Sequence, residues 1–247
     1  EWEEVSRNTV YLLNKGAIVA IKGIGGYHLA VDARNDRAVA ELRKRKRRPF
    51  KPFAVMVGSM EEADRFLEIG PSERALLISK ESPIVLLKEK SAALGREVAP
   101  GLTFIGLMLP YTPFQHHIFS LDPGMALVMT SGNVSDEPIV YRDDEAFERL
   151  GRIADYFVVY NREIIGQGDD SVLYVVDETP YFIRRSRGYV PAPFLSTETP
   201  RPILAMGGDL KNSFALARSS FIIMSQYLGD MADPLTYRVF KIGRAHV

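Results

Sequence analysis

The stretch Ile18–Ala54, reading IVAIKGIGGYHLAVDARNDRAVAELRKRKRRPFKPFA, constrains the fold more than any other part of the chain. Its opening run, Ile18–Ile21, is apolar, rich in β-branched residues and short enough to be a buried strand rather than a helix. Gly23, Gly25 and Gly26 follow, and glycine lets a backbone take positive φ and come close to a ligand. Asn35 or Asp36 then caps a helix on which Ala38, Val39 and Leu42 recur at helical spacing. That helix delivers Lys44, Arg45, Lys46, Arg47 and Arg48 just before Pro49. The unit reads as an anion-binding strand–loop–helix whose cations arrive from the far end of the helix.

Overall charge gives no guide to a partner, because Lys+Arg and Asp+Glu balance at 31 each in 247 residues. Local imbalance has to carry that argument. With no cysteine, these residues hold no disulfide framework, thiolate zinc site or cysteine nucleophile. No apolar run reaches the ~18 residues of a membrane span and no signal segment opens the chain, so a cytoplasmic protein without membrane contact is expected. Both ends look interrupted. Glu1–Lys15 reads as a helix with Val5, Val10, Leu12 and Leu13 inward, as if cut from a longer protein. Ile242–Val247 stops the helix expected over Arg238–Lys241 without a cap. That hexapeptide matches one reading frame of a common sequencing-adapter oligonucleotide, so residues 242–247 are expected to be a non-native tail, and His246 is given no role.

Along the chain, Phe53–Val57, Ile84–Leu87 and Ala126–Met129 are apolar strand-length runs. A capping box at Ser59–Glu62, Pro71–Ser72 and Pro113 each open a helix, and Glu145–Leu150 is a further helix. Thr103–Leu109, Phe157–Tyr160, Val172–Val176 and Tyr181–Arg184 complete a mixed α/β pattern, predicting a twisted mixed sheet with flanking helices. Prolines, serines and threonines crowd Pro191–Pro202, which marks a boundary. The organisation expected is a first domain over 1–194, a linker over 195–202, and the start of a second domain over 203–241 too short to build its own core.

Three stretches carry chemistry. Lys46 and Arg48, stiffened by Pro49 and Pro52, suit a fixed phosphate, since arginine offers a bidentate fork and lysine a point charge. The plainer reading is a solvated helix end whose cations complement the macrodipole, and for Arg43, Lys44 and Arg45 that reading is preferred. Thr130, Ser131 and Asn133 stand where a strand ends, the edge at which α/β sheets bind ligands, although Ser, Gly and Asn are also ordinary turn residues. Arg184, Arg185 and Arg187 form either another phosphate-facing patch or a charged sheet edge, and their recurrence with two other phosphate-friendly stretches favours the patch. His116 and His117 point about 100° apart on a helix and do not chelate one metal together. His28 is either a ligand to a bound acyl group or a packed loop histidine.

At these residues the chain resembles the YrdC-like family and, within it, the HypF hydrogenase-maturation carbamoyltransferases. KGIGGYHLAVDA (Lys22–Ala33) resembles the loop that reads Thr-x-Tyr-Gly-Leu-x-x-Asp-Ala in threonylcarbamoyl-adenylate synthases. RKRRPFKPFAVM (Arg45–Met56) holds the family's Lys-x-Arg as Lys46 and Arg48. LPYTPFQHHIF (Leu109–Phe119) follows, and TSGNVSDEPI (Thr130–Ile139) carries Ser-x-Asn as Ser131 and Asn133. GDDSVLYVV (Gly168–Val176) and FIRRSRGYVPAPF (Phe182–Phe194) complete the ordered agreement. Beyond the linker, Ile203–Met231 resembles the start of a TsaD-like carbamoyl-transfer domain of actin/Hsp70-type fold.

What the resemblance implies is an adenylate-forming carbamoyltransferase. Carbamate released from carbamoyl phosphate condenses with ATP to carbamoyl-adenylate, and the carbamoyl group passes to the C-terminal cysteine of HypE during maturation of nickel–iron hydrogenase. It implies ATP and Mg²⁺ as cofactors, with zinc only in upstream fingers outside this sequence and no metal held by side chains here. Lys46 and Arg48 are expected at the phosphates and carbamate, with Thr130, Ser131, Asn133, Arg184 and Arg187 binding nucleotide and phosphate. Lys22, Tyr27 and His28 are expected to line the carbamoyl pocket, and Lys211 and Asn212 to border a second-domain nucleotide pocket. A threonylcarbamoyl-adenylate synthase for tRNA modification and a double-stranded-RNA-binding module are the alternatives.

Overall fold

The structure is a computed structural model that describes residues 1–91, 93–134 and 137–245, with side chains of the closing helix described as far as Lys241. Ser135 and Asp136 of the Thr130–Ile139 motif, and His246, lie outside the described residues.

Helix α1 (Trp2–Asn14) leads into β1 (Val19–Lys22) and β2 (Tyr27–Asp32). The two strands pair antiparallel, with Lys22 opposite Tyr27 and Val19 opposite Ala30. Their turn is closed by the Gly23 N–H donating to the Gly26 carbonyl at 2.8 Å. What Gly25 approaches closely is the protein's own backbone, because a Cβ there would sit 2.3 Å from the Gly168 carbonyl oxygen. On α1 the inward residues are Ser6, Thr9 and Leu13, whereas Val5, expected inside, is exposed. The two hydroxyls are tolerated because they donate to carbonyls one turn back, Trp2 and Val5.

Helix α2 (Asp36–Lys46) starts at Asn35, whose side chain accepts the Ala38 N–H, and stops where Arg47 turns left-handed at φ 54°. The chain continues through β3 (Ala54–Val57), α3 (Met60–Asp64), β4 (Leu67–Glu68), α4 (Pro71–Leu77), β5 (Ile84–Glu89) and β6 (Phe104–Met108). Then come α5 (Pro113–Leu121), β7 (Ala126–Ser131), α6 (Asp143–Leu150), β8 (Tyr156–Val158), β9 (Val172–Val176) and β10 (Thr179–Arg184). Ser59 caps α3 as predicted, but the Glu62 carboxylate does not close the box and instead takes Arg34 and Arg65.

Ten strands form one mixed sheet in the order β10-β9-β5-β6-β3-β7-β2-β1-β8, with β4 beside β5. Alternation along each strand divides the core into two layers. Tyr27, Leu29, Val31, Val55 and Val128 face a layer filled by Val39 and Leu42 of α2 and Ala146 and Leu150 of α6. Ala30, Met56, Leu127 and Met129 face the opposite layer, filled by Leu13 of α1 and Phe114, Ile118 and Phe119 of α5. Fully burying one such aliphatic or aromatic side chain contributes about 1.5–3 kcal/mol.

The stretch expected as a linker is instead part of β11 (Phe194–Met206), which pairs antiparallel with β12 (Phe214–Met224). The register slips between Leu195 and Thr199 and again between Thr199 and Ile203. A two-stranded ribbon leaves each strand an unpaired edge, so Pro200 and Pro202 need not donate to a ladder. Ile203 and Leu204 point to opposite faces and are 48% and 46% exposed, whereas Phe214 at the start of β12 is buried. The ribbon segment meets the arginine run that follows β10 where the Tyr227 N–H donates to the Arg185 carbonyl at 3.2 Å. Helix α7 (Pro234–Ala245) runs past Ile242, the point at which the sequence predicted its end. Among the described residues no helix is long and apolar enough to cross a membrane.

Candidate functional site

Lys46 is completely buried, and its ammonium closes the turn that follows β7. Nζ donates to the Ser131 carbonyl and the Asn133 carbonyl, each at 2.6 Å, and to the Asn133 side-chain oxygen. Those three bonds use all the donors an ammonium has. Burial first, and the nearby Arg48 charge second, push its pKa well below the usual lysine range. The Ser131 hydroxyl donates to Asn133 Oδ1 at 2.9 Å, and the Asn133 amide donates to the Glu137 carbonyl. Gly132 has to be glycine, since a Cβ there would sit 2.7 Å from the Tyr27 carbonyl oxygen. Lys46, predicted to touch phosphate, therefore holds the Ser131–Asn133 turn and has no hydrogen left to offer a ligand in this arrangement.

Arg48 is less enclosed than Lys46. It is half-buried, 3.5 Å from the Thr130 hydroxyl, with its guanidinium 5.0 Å from the centre of the Phe53 ring. Its Nε and Nη2 donate to the carbonyls of Lys51 and Pro52. The loop carrying it is built by Arg43, which the sequence reading left in water. Arg43 is buried, and its guanidinium donates to the carbonyls of Glu97, Arg48, Lys51 and Val98 at 2.6, 2.8, 3.0 and 3.1 Å. Arg45 is not solvated either, since it pairs with Glu41 and Asp155. Lys44 and Arg47 are the exposed members of the block.

Across the β2–β7 pairing His28 stands directly opposite Ser131, on the same face of the sheet. Its Nε2 lies 2.9 Å from Asp170 Oδ2, while Asp170 Oδ1 accepts from Arg187 Nε at 2.8 Å. Burial alone would push the Asp170 carboxyl up, but the facing His28 and Arg187 hold it well below the usual carboxylate range. Arg187 spends its remaining nitrogens on the Glu81 and Ser82 carbonyls and lies 3.9 Å from the centre of the Tyr111 ring. It is thus an internal cation rather than the phosphate contact predicted. Arg184 donates to the Asp170 carbonyl and lies over the Tyr227 ring at 5.4 Å.

Lys22 and Tyr27 are not brought together with His28. Successive residues of a strand face opposite ways, so Tyr27 and its partner Lys22 occupy the other layer. There the Tyr27 hydroxyl donates to Asp143 at 2.6 Å, and Lys22 Nζ lies 2.8 Å from the same carboxylate. Burial and the Asp143 contact both push the Tyr27 hydroxyl pKa up. This cluster ties the start of α6 to the β1–β2 hairpin. His117 stacks on Trp2, and among the described residues no group of His, Asp or Glu is placed to hold a metal ion. In the ribbon segment Lys211 is exposed, whereas Asn212 is buried and donates to the Gly208 carbonyl at 2.6 Å.

Sequence reasoning missed Arg43, Tyr111, Asp143 and Asp170. Arg43 had a usable signal, because positions 39, 42, 43 and 46 fall on one stripe of α2 and so put Arg43 and Lys46 on its inward face. Asp170 had none locally, as it meets His28 across 142 residues of chain.

Two family models match the chain. The Sua5_yciO_yrdC model, described as telomere recombination, covers residues 11–186, and the HypF Kae1-like domain model covers 198–247. Carbamoyltransferase HypF2 of Cupriavidus necator is 44% identical over 257 residues, 97% of this chain and 32% of its own length. A crystal structure of full-length HypF in the phosphate- and nucleotide-bound form superposes with a TM-score of 0.93 at 42% identity, covering 97% of this chain and 38% of that one. A threonylcarbamoyl-AMP synthase of Bos taurus is more distant, at 29% identity over 55% of this chain and 49% of its own length. The chain spans about a third of the length of the curated HypF relatives it matches.

Proposed function

As a member of the Sua5–YciO–YrdC family that continues into a HypF Kae1-like domain, the chain has a functional context, and we propose that its first domain joins carbamate to ATP. Carbamate, derived from carbamoyl phosphate, attacks the α-phosphorus. The bond to the β-phosphate oxygen breaks, and carbamoyl-adenylate and pyrophosphate form. In a longer protein the carbamoyl group then passes to the C-terminal cysteine of HypE for hydrogenase maturation.

The observation that carries this reading is the Lys46-locked Ser131–Asn133 turn beside Arg48, in a chain 42% identical to a HypF solved with phosphate and nucleotide. Such a transfer needs little covalent help from the protein; it needs the phosphate chain positioned and its growing charge met. Arg48 supplies the cationic fork, with the Thr130 hydroxyl 3.5 Å from it as a neutral hydrogen-bonding group. Lys46 and Arg43 hold the two loops that carry them, which makes them positioning residues. Arg184 is a second cation near the anion path. The donor set, a guanidinium with hydroxyl and amide groups, fits phosphate oxygens. Mg²⁺ would be held through those oxygens and would offset their charge.

The test is pyrophosphate exchange into ATP by this chain, with the adenylate identified by mass spectrometry. Exchange that needs carbamate and yields carbamoyl-AMP is expected. Exchange supported only by bicarbonate with threonine would sink the reading in favour of threonylcarbamoyl-adenylate synthesis.

A further inference from the structure

Between β8 and β9 runs a loop that is tied down at both ends and nowhere between. At one end the Tyr160 hydroxyl donates to the Gly23 carbonyl at 2.8 Å, and the Tyr160 carbonyl accepts from Lys22 Nζ at 3.1 Å. At the other end the Gly168 N–H donates to the Gly25 carbonyl at 2.9 Å. Both anchors therefore sit on the Gly23–Gly26 turn or its flank, which holds the ends of the loop together in the manner of an Ω-loop. Among the described residues, positions 161–167 make no hydrogen bond or ion pair. Asn161, Arg162 and Glu163 are exposed, and Ile165 is 98% exposed. A Cβ at Gly166 would meet nothing within 4 Å, so packing does not call for glycine there and backbone freedom does. Such a segment, exposed and without hydrogen bonds, is the part of a fold that rearranges at least cost.

The loop lies beside the candidate site. The turn that anchors it leads into β2, which sets His28 opposite Ser131. Gln167 lines a small hollow with Pro138 and Ile139, which follow Glu137, whose carbonyl accepts from the Asn133 amide. We propose that residues 161–167 are a strap that closes over the triphosphate of bound ATP and brings Arg162 onto its oxygens. The inference rests on the adenylation reading above and adds a moving part to it. A ligand drives closure only if it contacts the closed form better than the open one. Arg162, the single cation of the strap, supplies that difference as a charge-assisted fork to phosphate. It stands two residues from its anchor, so its backbone can swing on a radius of about 7 Å before the length of the side chain is added. Closure also gives the Ile165 tip an apolar partner in Ile24, 55% exposed on the anchoring turn.

Amide hydrogen exchange of the full chain, read by mass spectrometry with and without saturating α,β-methylene-ATP and Mg²⁺, tests this, because the analogue carries the triphosphate and cannot release pyrophosphate. Without the analogue the amides of 162–167 should exchange at the rate of an unfolded peptide, and with it they should slow by about tenfold or more. Arg162→Gln should abolish that slowing and raise KM for ATP about five- to tenfold, the worth of one charge-assisted hydrogen bond, with KM for carbamate within about twofold. Its Tm should match the parent's, since Arg162 pairs with nothing in the open form. Unchanged amide exchange at 162–167 in a chain that performs carbamate-dependent pyrophosphate exchange overturns the strap and leaves adenylation standing, and slowing that survives Arg162→Gln overturns the part given to that cation. Slowing in a chain without carbamate-dependent pyrophosphate exchange supports the strap as a nucleotide clamp and overturns the adenylation reading alone.

Discussion

Replacing Asp170 by Asn isolates the buried charge cluster that joins His28 of β2 to Arg187 beyond β10. Asp170 is 7% exposed, with one oxygen 2.9 Å from His28 and the other 2.8 Å from Arg187, whose side chain is 13% exposed. The amide keeps the shape and removes the charge, leaving Arg187 as a buried cation without a carboxylate. Breaking one side of a buried pair costs about 3–5 kcal/mol. Arg187 retains the Glu81 and Ser82 carbonyls, which favours the lower end, about 3 kcal/mol. For a chain of this size that corresponds to a fall in Tm of roughly 6–12 °C. The acid limb of stability should change as well. A carboxyl whose folded pKa lies below its unfolded value of about 3.9 contributes its full stabilisation at neutral pH and loses it as pH falls from about 4 toward the folded value. The parent protein should show that loss and the Asn variant should lack it. Thermal melts from pH 7 down to pH 3, followed by circular dichroism, measure both effects. A variant melting within about 2 °C of the parent, with the same acid limb, would refute the argument that this pair organises the face carrying His28.

Lys46→Met preserves most of the aliphatic bulk but strands three oxygen acceptors, so stability should fall by about 2–4 kcal/mol and exchange should be lost together; hydrogen exchange at Gly132 and Val140 reports the loosened turn. Arg48→Ala, at a half-buried position, should cut carbamate-dependent exchange by about 100-fold, the scale of a lost charge-stabilising donor, while leaving Tm within a few degrees. The two variants thus separate a positioning cation from a ligand-facing one, and equal loss of stability in both would contradict that separation.

Much of the fold is legible in the sequence because its signals are local. Asn35 and Ser59 cap helices where their side chains can reach the third following N–H, and the apolar runs at Phe53 and Ala126 become central strands. β2 is harder to see. Tyr27–Asp32 is buried almost throughout, so it lacks the alternation that marks a half-exposed strand and hides behind the glycine turn. The prolines between Pro191 and Pro202 suggested a linker, but an unpaired ribbon edge accommodates them. In the site, the Lys-x-Arg and Ser-x-Asn patterns are legible as neighbours; their division of labour is not. A cation on the inward stripe of α2 and one just past its end look alike in a run of basic residues, yet one is sealed inside and the other is half-buried. Arg187 sits in a run of arginines that reads as phosphate-facing, and only the distant Asp170 reveals its internal role.

The most direct measurement follows an oxygen atom. Freshly prepared carbamate labelled with ¹⁸O, incubated with ATP and this chain, should leave ¹⁸O in the phosphoryl group of AMP after carbamoyl-adenylate hydrolyses at its carbonyl carbon. Attack of carbamate on the α-phosphorus predicts that label, and AMP formed without it would contradict the central claim.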